Sequence, residues 1–193
     1  MASRCLQLVF ELGLFLCLSE LFPVHAQDAE TKKPADIPDL IAKLKDKDDY
    51  VRRKALESLG RVGPGAKIAI PAITDLLKDK NPLVRIYAAS ALRSIDPRTK
   101  LALPALLDAL RVKDETVRCY AAGAFKDFGV VAVPPLIDAF KDMDGGVGDW
   151  ASSAVALIGK EAIPFLLKAS KDKNKRVRSN AESALQAIKL LYD

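Results

Sequence analysis

Side chains able to carry acid–base, nucleophilic or metal chemistry are scarce in this chain. It holds one histidine, His25, and three cysteines, Cys5, Cys17 and Cys119. A zinc site or an imidazole-assisted nucleophile needs several such groups brought together, so no metal and no cofactor are expected. Asp48-Asp49 is a carboxylate pair, but consecutive acids at a helix start act as capping groups far more often than as an acid and a base. What does recur is charge and aromatic rings at fixed spacing. Asp46 stands six residues before Arg52, Asp79 before Arg85, and Asp172 before Arg178. The third copy reads Val112 and Arg118, and the fourth Asp142 and Gly148, so one has lost its acid and the other its base. A second column carries Tyr87, Tyr120 and Trp150, flanked in register by Lys54 and Asn180. A third places cations around the acid column: Lys45, Lys47, Lys78, Lys80, Arg111, Lys113, Lys141, Lys171 and Lys173.

The elements that position these columns repeat with them. A proline recurs at Pro38, Pro71, Pro104, Pro134 and Pro164, at intervals of 33, 33, 30 and 30 residues. A valine at Val51, Val84, Val117, Val147 and Val177 keeps the same four intervals. Two markers in step define a repeat. Each unit reads as two helices. The first opens with the proline, tolerated in a first turn, and places Ile73, Leu76 and Leu77 on one face. The second is preceded by Asp48, Asn81, Asp114, Asp144 or Asn174, the residue types that cap helix N-termini. Its stripe of Val84, Ala88, Ala91, Leu92 and Ile95 supplies one apolar face. No strand-like alternation is present.

The blocks DKDDYVRRKALESLG, DKNPLVRIYAASALR and DKNKRVRSNAESALQ resemble the HEAT-repeat family, in particular its short bilin-lyase type. The resemblance covers about residues 37–193. It implies an all-α fold, a right-handed α-solenoid of five two-helix repeats, about 37–69, 70–102, 103–132, 133–162 and 163–193. It further implies that the aspartates and arginines form a buried ladder of Asp46, Arg52, Asp79, Arg85, Arg118, Asp142, Asp172 and Arg178. The two losses balance if Arg118 meets Asp142 of the next layer, and that contact is expected. The resemblance also implies that second helices line the concave side, which makes Tyr87, Tyr120 and Trp150 a candidate binding stripe. Packing at the edge of the core is the commoner fate of such rings.

The chain begins with a short positive segment, an apolar run and Val24-His25-Ala26, the pattern of a secretory signal cleaved after Ala26. Residues 27–36 are polar and read as a linker. Removing 1–26 takes Arg4, Glu11 and Glu20, which shifts the formal net charge of +5 to +6 and leaves Cys119 as the remaining cysteine and no histidine. Internal disulfides are then excluded, and after cleavage no transmembrane segment is expected. The location expected is secreted or periplasmic. Together these readings describe a non-catalytic protein–protein interaction scaffold with a protein partner. The alternatives are a bilin-lyase-like chromophore-binding enzyme and an anionic-polymer binder using the cationic ridge. Basic charge permits nucleic acid, but export argues against it. The apolar Leu190-Leu191-Tyr192 suggests either self-association or a fold-back over the last layer.

Overall fold

Helix starts follow the caps read from the sequence. In the computed structural model, which describes residues 36–142 and 146–192, Asp48 accepts from the Tyr50 amide, Asn81 from Leu83, Asp114 from Thr116 and Val117, and Asn174 from Arg176. Each cap satisfies amides that the first helical turn leaves without a partner. The expected leader, the linker up to residue 35 and the Asp144 cap lie outside the described residues.

In chain order the helices are α1 (Ile37–Lys43), α2 (Asp49–Val62), α3 (Ile70–Asp75), α4 (Pro82–Ile95) and α5 (Leu103–Leu110). They continue as α6 (Glu115–Phe128), α7 (Val133–Ala139), α8 (Val147–Ile158), α9 (Ile163–Ala169) and α10 (Lys175–Tyr192). Short 3-10 turns follow α2, α3, α6 and α8. Every regular element among the described residues is helical, and short proline-led helices alternate with long ones. This is the all-α solenoid class of fold.

The chain divides into two compact units, one ending at Leu106 and the other beginning at Leu107. In the first, α2 packs on α4, and α1 and α3 pack on their following helices. Leu56, Leu59, Ile73 and Ile95 are fully buried there, each contributing about 1.5–3 kcal/mol of apolar transfer. Gly60 brings the helices close: a Cβ on it would lie 3.4 Å from the Ala91 Cα. In the second unit α8 packs between α6 and α10. Phe125, Phe140 and Leu136 fill the core beside fully buried alanines such as Ala151, Ala154 and Ala181. Aromatic content can be low because helices spaced by alanine leave little volume to fill.

The last layer is finished by polar residues. The positions on α10 equivalent to buried Leu56 and to Gly60 are Glu182 and Gln186, both exposed, which gives α10 a water-compatible outer surface. Leu190 and Leu191 remain exposed, but Tyr192 folds back. Its hydroxyl donates to the Leu157 carbonyl at 3.2 Å, and its ring lies over Gly159, where a Cβ would come within 3.2 Å. Gly159 has φ +93° and ψ −155°, a conformation essentially reserved for glycine. Gly129 also has positive φ, at +58°, but open space around its Cβ position. Gly159→Ala should therefore lower stability by about 1–3 kcal/mol for the backbone alone and also displace Tyr192. Urea melts of Gly159→Ala and Gly129→Ala, each alone and with Tyr192→Phe, should show coupling to Tyr192 only at Gly159.

Candidate interaction surface

The turn after each of several short helices carries carbonyls that lie beyond the helix's own hydrogen-bond ladder, and the recurrent arginines donate to them. Arg52 Nη1 donates to the carbonyls of Asp46 and Lys47 at 2.7 and 3.1 Å. Arg85 Nη1 does the same at Asp79, 2.8 Å away. Arg178 Nη1 binds the carbonyls of Asp172 and Lys173 at 2.8 and 2.9 Å, and Arg118 Nε binds that of Val112. The aspartates hold the same turn from the other side: Asp46, Asp79 and Asp172 accept the amides of Asp48, Asn81 and Asn174. Acid and base thus both fix the angle between the two helices of a pair.

One full rung joins successive pairs. Arg52 Nε and Nη2 grip Asp79 at 2.9 and 3.0 Å, with the two side chains only 6% and 9% exposed. A parallel link runs beside it, Asn81 Nδ2 donating to Asp49 Oδ2 at 2.9 Å. Asp142, the acid expected opposite Arg118, is also reached by a neighbouring base. Asp142 is held by Arg111, whose Nη2 lies 2.8 Å from Oδ2, and whose Nη1 reaches Asp108 at 3.2 Å. Donating to the Asp142 carboxylate raises the pKa of Arg111 above its ordinary value, with burial opposing it. A signal for this was available. In the column Lys45, Lys78, Arg111, Lys141 and Lys171, arginine stands only beside Val112, where the acid is missing. Its forked head can bridge two carboxylates where a lysine would act as a point charge.

The fourth pair, which carries Gly148 in place of arginine, is repaired from α10. Asn180 Nδ2 donates to the Phe140 carbonyl at the end of α7, 3.0 Å away, and Ser152 Oγ donates to the Asn180 carbonyl at 2.9 Å. A Cβ on Gly148 would lie 2.6 Å from Asn180 Nδ2 and 2.9 Å from the Phe140 oxygen. Glycine here makes room for a neighbour's amide. Asn180 therefore leaves the ring column and serves the core.

Tyr87, Tyr120 and Trp150 are each half-buried. Tyr87 belongs to the first unit and the other two to the second. Beside Tyr87 the structure adds a residue that column counting missed, Tyr50, which is 56% exposed. Arg53 lies over both rings, its Cζ 5.7 Å from the Tyr50 centroid and 5.9 Å from that of Tyr87. Lys54 Nζ approaches Tyr50 at 5.9 Å, while a hydrogen bond to Glu57 raises its pKa. The helical spacing of Tyr50, Arg53 and Lys54 was the available signal.

Lys45, Lys47, Lys78 and Lys80 in the first unit, and Lys113, Lys141, Lys171 and Lys173 in the second, are exposed. Arg111 is exposed but paired with two acids, which takes it out of the ridge as an open charge. Among the described residues no cluster of histidine, cysteine, aspartate or glutamate is placed to hold a metal. Nor is any single described helix long and apolar enough to cross a membrane.

The sequence matches the HEAT-repeat family over residues 37–126 and again over 103–186. The chain belongs to that family. Among solved structures it is similar to the complex of CpcE and CpcF of phycocyanin lyase from Nostoc sp. PCC7120, at 23% identity and a TM-score of 0.51, covering 86% of this chain and 70% of that one. That likeness extends to the fold. An engineered protein is similar at 24% identity and a TM-score of 0.41, covering 79% of this chain and 81% of that one. A computationally designed armadillo repeat protein for modular peptide recognition stands at 20% and 0.39, with 79% and 82% covered. No curated protein matches the sequence.

Arg52→Ala strands a buried carboxylate and two carbonyls together, so it should cost about 3–5 kcal/mol. Arg178→Ala, at an exposed turn, should cost no more than about 1 kcal/mol. Denaturant titration of the two variants side by side checks the ranking. Asn180→Ala should cost about 1–3 kcal/mol by orphaning the Phe140 carbonyl. Gly148→Ala should be destabilising too, and the double variant should lose less than the sum, because one clash is relieved.

Proposed function

We propose that the chain is a non-catalytic protein-interaction scaffold that works outside the cytoplasm. The observation that carries this reading is the partly exposed aromatic surface of the long helices, Tyr50 and Tyr87 in one unit and Tyr120 and Trp150 in the other. Tyrosine and tryptophan combine large contact area with few rotamers and a polar tip, which suits recognition. The ladder residues serve the fold, which leaves the rings and the lysine edge as the surfaces for a partner. Export rests on the leader pattern of residues 1–26.

Intact-mass analysis of protein recovered from the exported fraction should find the chain beginning at Gln27. Crosslinking in that fraction should then recover a defined partner with wild type and lose it with Tyr87→Ala, Tyr120→Ala and Trp150→Ala combined. Equal recovery with the triple variant removes the rings from the reading. The eight exposed lysines favour one further reading, an anionic polymer. Capture by the lysine edge alone would fall steeply with salt and survive the triple ring substitution. Chromophore binding would appear as a changed absorbance spectrum on mixing with a bilin.

A further inference from the structure

Arg53 differs from Arg52 and Arg61 on the same helix. Arg52 spends its head on four hydrogen bonds and Arg61 bonds Glu57. Arg53 makes no hydrogen bond among the described residues. Its Nε is buried without a hydrogen-bond partner, although it lies 3.3 Å from Asp49 Oδ2 in an ion pair. Asp49 is itself turned toward Asn81, whose Nδ2 it accepts at 2.9 Å. The side chain keeps 25% exposure, and the rings of Tyr50 and Tyr87 both lie within 6 Å of its Cζ. A guanidinium approached by two tyrosine rings has little rotamer freedom left to lose on binding, and the rings leave its planar N–H edges available.

We propose that Arg53 is the anchor of the interaction surface, and that it takes an aspartate or glutamate side chain of a protein partner. The carboxylate would meet the Nη1–Nη2 edge, while an apolar residue next to it in the partner covers the exposed ring of Tyr50. Asp49 does not forbid this. In the same molecule Arg111 holds two carboxylates at once, Asp108 and Asp142, so one guanidinium edge can serve each acid. Charge complementarity points the same way, since the chain carries a net +5 and Lys54 Nζ lies 5.9 Å from the Tyr50 ring. The inference rests on the scaffold reading and names the chemistry its partner must present.

The test uses full-length protein and N-acetylated, C-amidated Leu-Glu-Leu as the probe, with Leu-Gln-Leu and sodium acetate as comparisons. Binding is followed by the Arg53 Nε–Hε resonance and the ring signals of Tyr50 and Tyr87. Leu-Glu-Leu should shift all three and bind roughly tenfold more tightly than Leu-Gln-Leu, because the charge-assisted, two-point contact is lost with the amide. Arg53→Lys, which keeps the charge but not the fork, should weaken binding to a similar degree. Tyr50→Ala, at an exposed position, should weaken the peptide but not acetate. Thermal melts of both variants confirm folding. Equal response to the glutamate and glutamine peptides, or none at millimolar concentration, overturns the proposal. Acetate binding as tightly as the peptide overturns the protein partner and leaves a simple anion site. A failed peptide test beside successful partner crosslinking of the wild-type protein rejects Arg53 and spares the scaffold; a wild-type protein that crosslinks to no partner rejects the scaffold itself.

Discussion

The hydrogen bonds from the recurrent arginines of α2, α4, α6 and α10 to carbonyls of the turn before each of these helices set the geometry on which the rest depends. A helix of two turns is too short to be stable alone, and the turn that follows it carries carbonyls outside the helical ladder. The guanidinium closes that turn from a distance of five or six residues, seen at Arg52, Arg85, Arg118 and Arg178. Once the turn is closed, the apolar faces of both helices lie side by side, and stacking can begin. Arg52 shows why arginine and not lysine occupies the column. It bonds two carbonyls with one nitrogen and a carboxylate with two others, a task for a planar fork.

The two departures from the ladder are resolved by different means. Where the acid is missing, at Val112, the base next to it has become Arg111 and reaches forward to Asp142. Where the base is missing, at Gly148, the next pair sends back Asn180, and the glycine exists to admit it. In both cases the polar group, Asp142 or the Phe140 carbonyl, keeps a hydrogen-bond partner. The same logic explains the end of the second unit. Glu182 and Gln186 take the positions filled by Leu56 and Gly60 on α2, so α10 meets water.

The surfaces follow from what the ladder has already used. Aspartates between the lysines are engaged with backbone amides and arginines, and they dilute the positive edge as they do so. That edge is consistent with solubility. The ring surface is different in kind. Tyr50, Arg53 and Tyr87 combine apolar area, a restrained cation and hydrogen-bonding capacity that the fold does not consume.

The sequence by itself determined the class of fold, since paired prolines and valines at intervals of 33 and 30 residues, capping residues and aliphatic stripes are all local or periodic signals. It also identified Asp79 and Arg52 as ladder residues and Tyr87, Tyr120 and Trp150 as the edge of the packed face. Column counting could not say which acid meets which base, because that depends on side-chain reach across neighbouring helices. It did not show that Arg111 also reaches Asp142, and it put Asn180 in the ring column when the missing Cβ of Gly148 makes room for that side chain. Nor could it find Arg53, which lies outside every repeated column and acquires its character only when α2 and α4 bring Tyr50 and Tyr87 to it. Periodicity places backbone, but only the packed structure decides where a long, flexible side chain spends its hydrogen bonds.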